Sequence, residues 1–575
     1  MSTSVSHVAC RIRNWRIAIV LALAPLWIVA ILDRGLWTPD EPREADIAWR
    51  MSQDRTLLPQ LANTPFLEKP PLTYWMSAAG ITAFNQPRAA NLLYALITAL
   101  AVGALAVVMM DTGAAFLSAL LVGTTLIAFR ASVWLAPDAC LLAGSAIALW
   151  GAYTGYVAAP GRCKLRGYTL MHVGAALGFM AKSAPGWLVP ALALLTLIAW
   201  ERKWSELRRP ELYAGILLQA LLIGPWVYAV AVSPQGHDAL LALFWHNVVG
   251  RFTKVSGPSA LDYTTGHPNW PGKYFLELPV YLLPWTLLAI AACRRAWTHI
   301  DETRWRFAIA ATLPFLLVLS VAATARDIYA APAMVGASLL ITLWAVDAQN
   351  NMRRIDRFAL RGTRAVVAVI ALVFAGFLIF LGGKVQVVAA IGTLIVAAVA
   401  LLFAAREQRL SNVRSSVICT FIAYASTWCI AGLAAFPAVD EWQNLPLLAR
   451  AIKAQTSGTS LGLLNPDETT LAMLDYRLRT PFTVLDTKGG DPGRVVSAWF
   501  RSHGKQSRVL VLLPGSARGD GMAGELSANG TASIIGRFEL PRGRRYALLG
   551  PPLAAAETTA PPCGGAVDLR ASQVA

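Results

Sequence analysis

Stretches of about twenty apolar residues recur along the chain, the length a helix needs to cross a bilayer, and no other feature constrains it as much. AANLLYALITALAVGALAVVMM, from Ala89, is one of them. Backbone N–H and C=O groups have no water to bond inside a hydrocarbon layer, so each such run must satisfy its own as helix. Of the 575 residues 56% are hydrophobic and 14% charged, with a mean hydropathy of +0.51, outside the range of soluble globular chains. The expected fold class is a polytopic α-helical membrane protein.

Thirteen spans can be drawn, near 15–32, 88–109, 113–130, 138–158, 168–182, 185–200, 211–232, 277–293, 306–323, 329–346, 364–382, 386–404 and 416–436. The net charge is +17. In a soluble chain that would suggest nucleic acid. Here the cations gather in alternate short loops (Arg162/Lys164/Arg166, Arg202/Lys203/Arg208/Arg209, Arg294/Arg295/Arg304/Arg306, Arg353/Arg354/Arg357/Arg361/Arg364, Arg406/Arg409/Arg414), so topology and anionic lipid account for them and no nucleic-acid partner is expected. The first run follows Arg11, Arg13 and Arg16 with no small-x-small cleavage site after it, and Asp33-Arg34 come next. It reads as an uncleaved signal anchor with the N-terminus in the cytoplasm. The seven cysteines show no CxxC or other metal spacing and read as packing residues.

This topology places three long segments outside: 33–87, 233–276 and 437–575. The predicted division is therefore a membrane domain over 1–436 and a soluble domain over 437–575, on the periplasmic side in a bacterium. The tail alternates candidate strands, SLGLLN (460–465), FTVLD (482–486), SRVLVLL (507–513) and RYALLG (545–550), with a helical pattern, ETTLAMLDYRL. That predicts a small α/β domain. Its last stretch, rich in Ala, Pro and Thr, is expected to be disordered. No internal repeat is evident and the spans are nearly free of internal charge, which disfavours a transporter or flippase.

Ionisable groups beside a membrane are the informative ones. They crowd the first outer segment, in LWTPDEPREADIAWRM and PFLEKPPLTYW. A solvated loop is the plain alternative. Pro39, Pro42, Pro70 and Pro71 weigh against it, because each fixes φ and stiffens the backbone that carries Asp40, Glu41, Glu68 and Lys69. ADIAWRMSQ has one apolar face at helical spacing and is expected to lie along the membrane surface.

WTPDEPREADIA…FLEKPPLTYW resembles the first outer loop of GT-C-fold membrane glycosyltransferases that use polyprenyl-phosphate sugar donors. The nearest are the bacterial lipid A aminoarabinose transferases and their relatives among the dolichyl-phosphate-mannose-type protein mannosyltransferases. The resemblance continues weakly in GFMAKSAPGWLVP (178–190), WHNVVGRF (245–252) and ATARDIYAAPAM (324–334). It implies a GT-C fold for about three quarters of the chain.

It also implies roles. Asp40 matches the acidic residue of the catalytic centre, able to orient an acceptor, act as base or hold a cation. Asp138 resembles the second acidic position, with a helix N-cap as the alternative. Lys69, Arg43, Lys182 and Arg251 are candidates for the donor phosphate. Snorkelling to the headgroups is the alternative for Lys182. Tyr329 resembles a tyrosine near that phosphate, or is an interfacial belt residue. Glu68 is either the partner of Lys69 or a metal ligand. Glu68 with His246, or His267 as substitute, is the candidate set for zinc, magnesium or manganese, although no HxxxH or HxH spacing supports it. No nucleotide is needed or signalled. The implied function is transfer of 4-amino-4-deoxy-L-arabinose from undecaprenyl phosphate to lipid A phosphates by a monomer in the bacterial inner membrane. Protein Ser/Thr or another glycolipid is the alternative acceptor.

Overall fold

The computed structural model describes residues 3–32, 34–66, 68–234, 236–246, 248–249, 269–323, 326–487, 489–514, 520–552 and 567–568. They form two units. One comprises residues 1–33, 56–59 and 66–435; the other comprises 34–55, 60–65 and 436–575.

The first unit is helical throughout. Among the described residues of the chain, eight helices are long and apolar enough to cross a membrane, or ten if each of two bent pairs is one span. The bent pairs are Thr112–Thr124 with Leu126–Val133, at 74°, and Lys273–Tyr281 with Thr286–His299, at 116°. All thirteen expected spans fall on helices. However, Pro185–Glu201 is shorter than a full span, and Arg162–Lys182 and Ala333–Asn350 are outside the set that passes on length and hydropathy. The long helices keep large apolar side chains such as Leu217, Leu402 and Phe380 exposed, as a lipid-facing surface requires.

Two antiparallel helices, Asp138–Val157 and Arg162–Lys182, touch backbone to backbone. Small residues make this possible, since between helices in lipid close packing takes over from the hydrophobic effect. A Cβ on Gly151 would lie 2.2 Å from the Met171 amide nitrogen, and one on Gly174 would lie 2.3 Å from that of Ala148. The neighbours are main chain and cannot rotate away. Gly151→Leu should therefore separate the helices and abolish detergent-stable protein, whereas Gly224→Leu, whose site is open, should leave the melting temperature within about 2 °C of the parent. Fluorescence-detected size exclusion on both variants checks this.

Arg295, expected as a solvated loop cation, is instead almost fully buried. Its guanidinium bonds Asp356 at 2.5 Å and the Asn351 carbonyl at 2.8 Å and pairs with Asp347. The Trp344 indole N–H donates to the other Asp356 oxygen at 2.7 Å. The loop charge is thus a tie between three helices as well as a topological signal.

The second unit is built on a six-stranded mixed sheet, in spatial order Thr483–Leu485, Ser460–Leu464, Ser507–Leu512, Arg545–Gly550, Ser533–Glu539, Val567–Asp568. The first three strands run parallel and Arg545–Gly550 is antiparallel to both its neighbours. Strand alternation sends Leu461, Leu463 and Leu510 to one face, against Leu448 and Ile452 of the helix Leu445–Thr456. It sends Val509 and Val511 to the other, against Val496 and Phe500 of Pro492–His503. The four expected strands are present within a residue or two. Ser533–Glu539 escaped the pattern because a bulge between Ile534 and Gly536 breaks its alternation. The expected disordered stretch lies outside the described residues, apart from Val567–Asp568, which closes the sheet edge.

The predicted boundary at residue 436 coincides with one edge of this unit, but the unit also takes in residues 34–55 and 60–65. The expected surface helix is Glu41–Asp54, and its polar side is not solvated. Glu41 and Asp46 are fully buried, and Glu44 and Arg50 nearly so. Arg34 grips Glu41 through two bonds of 2.5 and 2.7 Å. Arg50 pairs with Asp475 of the helix Glu468–Asp475. The helix is amphipathic, but its charged face finds counter-charges in the C-terminal part of the chain.

Candidate active site

Lys182 ends the helix Arg162–Lys182, and Asp138 begins the helix Asp138–Val157. Antiparallel packing of the two brings both to the same end. Pro137 holds the N-cap position, and Asp138 does not cap the helix. Its carboxylate instead forms an ion pair with the Lys182 ammonium, both side chains being largely buried. The cap alternative for Asp138 is thereby replaced, and so is the picture of Lys182 snorkelling alone. The ammonium also lies 3.8 Å from the centroid of the Tyr329 ring, a cation–π contact. Tyr329 sits on a single turn, Asp327–Ala330. Asp327 holds that turn by an ion pair to Arg130 at 2.5 Å and by accepting the Ile328 amide at 2.9 Å.

Lys182 and Tyr329 border a cavity of about 470 Å³. Glu68, Lys69, Lys182 and Tyr329 line its polar part, and Trp187, Leu188, Phe315 and Leu319 contribute to an apolar remainder. Glu68 and Lys69 are half-buried, with the Lys69 ammonium 5.6 Å from the Phe66 ring centroid. The two prolines after them are buried, and Pro71 is the N-cap of the helix Leu72–Phe84. The Pro-Pro step therefore fixes the Glu-Lys pair to the start of a helix. Two ammonium groups and a phenol at one part of a greasy cavity suit an anion with an apolar tail.

Asp40 and Arg43 belong to the second unit. Asp40 precedes the helix Glu41–Asp54 and makes no side-chain cap. Its carboxylate is 3.4 Å from the Arg43 guanidinium, which also bonds Glu44 at 2.6 Å and pairs with Glu468. Arg43 was a phosphate candidate by sequence. Its guanidinium contacts three carboxylates and ties this helix to the sheet domain.

His246 is buried at the end of a π-helical turn, Leu241–His246. Arg251 and His267 lie outside the described residues. Among the described residues no group of three or more His, Cys, Asp or Glu side chains could hold a metal ion. Glu68 and His246 belong to no such group among the described residues.

Sequence reasoning missed Arg130, Asp327 and Trp187. Asp327 stood in the quoted ATARDIYAAPAM, two residues before Tyr329, where its turn-holding role had no local signature.

Residues 68–228 match the sequence family described as dolichyl-phosphate-mannose-protein mannosyltransferase. Over 365 residues the chain is 29% identical to the undecaprenyl phosphate-alpha-4-amino-4-deoxy-L-arabinose arabinosyl transferase of Pseudomonas paraeruginosa, covering 61% of this chain and 62% of that one. It is 25% identical over 376 residues to the enzyme of the same name from Serratia proteamaculans, covering 63% and 65%. The alignments thus span less than two thirds of either relative. The fold compares with the crystal structure of ArnT from Cupriavidus metallidurans bound to undecaprenyl phosphate, at a TM-score of 0.71 and 17% identity over 93% of this chain and 98% of that one. The fold is that of the GT-C membrane glycosyltransferases, and the chain is a multi-pass membrane protein. In sequence the chain is similar to aminoarabinose transferases among others, in keeping with the resemblance of residues 36–75.

Proposed function

We propose that this chain transfers 4-amino-4-deoxy-L-arabinose from undecaprenyl phosphate to phosphate groups of lipid A, at the periplasmic face of the bacterial inner membrane. The observation that carries the reading is the cavity with Lys69, Lys182 and Tyr329 at its polar part and aliphatic and aromatic walls beyond. Its cations and phenol could hold a phosphate and its walls a hydrocarbon chain, with Glu68 and Asp138 as the carboxylates that the phosphate must compete with. The names of the similar transferases supply the sugar and the carrier.

In the reaction an acceptor phosphate oxygen forms a bond to the anomeric carbon while the bond from that carbon to the carrier phosphate breaks. Positive charge builds on the sugar ring and negative charge on the departing phosphate. Lys69 and Lys182 neutralise the latter in a site partly shielded from water, where such stabilisation is strong. An acceptor phosphate is already an anion, so no strong base is required. The role given to Asp40 is to orient or stabilise rather than to deprotonate. The monomeric state, the thirteen-span topology and the outer placement of the sheet domain belong to the same proposal.

Mass spectrometry of lipid A from cells with and without the chain tests it. A mass increase matching aminoarabinose that appears with the wild type and falls at least about 100-fold with Lys69→Ala is expected, the scale of removing a charge-stabilising group. An unchanged lipid A together with newly glycosylated protein would move the acceptor to Ser/Thr. Equal transfer by wild type, Asp40→Asn and Lys69→Ala would sink the site assignment.

A further inference from the structure

Trp187 lines the cavity and leaves 40% of its surface exposed. It opens the helix Pro185–Glu201, five positions after Lys182. Its ring is stacked on Phe179, with centroids 4.2 Å apart and planes at 16°. Phe179 is fully buried and stacks in turn on Phe244, at 5.8 Å and 26°. Trp187 is thus the outer member of a three-ring stack. Its stacked face is covered by the fully buried Phe179, which holds the ring, while Trp187 itself lines the cavity. Of the other apolar wall residues, Leu188, Leu319 and Val318 are aliphatic and conform to any hydrocarbon, and Phe315 adds a second ring that lacks the stacked support of Trp187 among the ring contacts described.

We infer that Trp187 is a specificity-determining residue for the lipid carrier, selecting polyprenyl phosphates whose first isoprene unit is unsaturated over those in which it is saturated. This rests on the reading of the cavity as a lipid-phosphate site. With the phosphate on Lys69 and Lys182, the first carbons of the chain run past the start of the helix that Trp187 opens. An allylic isoprene is planar there and presents a π-face, which lies flat on an indole with close contact. A saturated unit has tetrahedral carbons, stands off the ring and makes fewer contacts. A rigid ring discriminates between the two where a flexible side chain would repack around either.

The test uses the full chain in detergent and two short prenyl phosphates of equal length, neryl phosphate, unsaturated next to the phosphate-bearing carbon, and citronellyl phosphate, saturated there. Binding is followed by isothermal titration, with a thermal melt of each variant. Wild type should bind neryl phosphate about three- to ten-fold more tightly, the scale of one aromatic contact. Trp187→Leu should bind both equally, at the affinity wild type shows for citronellyl phosphate, and Trp187→Phe should keep part of the preference. Equal binding of both by wild type, or a preference that survives in Trp187→Leu, overturns the inference and leaves the lipid-phosphate reading standing. Binding of neither probe by wild type overturns both. If Trp187→Leu does not fold, Trp187→Phe decides: an undiminished preference with the smaller ring counts against the inference.

Discussion

Lys182→Ala should cost the protein both stability and donor binding, and the two losses should separate. Removing the ammonium leaves the buried Asp138 carboxylate with its counter-charge gone. Breaking a buried ion pair from one side costs about 3–5 kcal/mol, since the orphaned charge keeps its desolvation penalty. The loss of a cation at the phosphate adds a fall in carrier affinity. Asp138→Asn combined with Lys182→Met replaces the pair by neutral groups of similar size, and neutral replacements of buried pairs are often tolerated. The double variant should therefore recover most of the melting temperature lost by Lys182→Ala while remaining inactive. Thermal melts and transfer assays on wild type, the single and the double variant form the cycle. A double variant as inactive and as unstable as the single would mean that the pair is held by contacts other than its own charges. Full activity in the double would remove Lys182 from the phosphate site.

Why the Lys182 pair was legible in part, and the N-terminal charges were not, follows from sequence distance. A lysine in FMAKSAPGW stands out against apolar neighbours, so its need for a partner can be read locally. Its proline-flanked aspartate lies one helical hairpin away, and glycines at the right spacing make the close approach possible. Strand alternation in the tail is also local, and four of its strands were legible for that reason. The cluster at 34–55 was different. Glu41, Arg43, Glu44 and Arg50 on one short segment look alike whether solvated or buried. What decides the matter is Arg50 meeting Asp475 across 425 positions, and Arg43 meeting Glu468 across as many. No local pattern encodes such a pairing. Trp187 stands in the quoted GFMAKSAPGWLVP with Phe179, but that motif does not show that their rings stack or that Phe244 joins them from another element. The resemblance in residues 36–75 identified the fold because it compares whole motifs. It could not say that half of that stretch packs with the tail.

Arg50→Ala should be the most damaging single change in the second unit, and acid should relieve it. Arg50 donates to both Asp475 oxygens, one bond measuring 2.6 Å, and it is buried with that carboxylate. Asp46 lies beside the pair, fully buried, one oxygen accepting the Ala62 amide at 3.0 Å. Burial first, and then the Asp475 charge, push the Asp46 carboxyl well above its ordinary range, against the Ala62 amide and Arg50. The folded unit therefore keeps a proton on Asp46 that the unfolded chain releases near pH 4. Below that value this proton carries no penalty. As pH rises through the window up to the raised folded value, the unfolded chain binds fewer protons than the folded one, and stability falls. Removing Arg50 strips its guanidinium from the Asp46–Asp475 pair, leaving Asp54 and its partner Arg479 at the helix end. The expected loss is about 3–5 kcal/mol where Asp46 is ionised, and smaller at lower pH, where its proton removes the repulsion. Asp46→Asn should do the reverse: it imitates the protonated carboxyl, keeps an acceptor for Ala62, and should flatten the decline in melting temperature between pH 5 and pH 8 that wild type shows. Adding Asp46→Asn to Arg50→Ala should recover part of the stability. Melts across that pH range on the full chain provide the measurement. An Arg50→Ala loss that is independent of pH, or an Asp46→Asn chain whose melting temperature declines as steeply as wild type, would show that the buried carboxyl carries no proton.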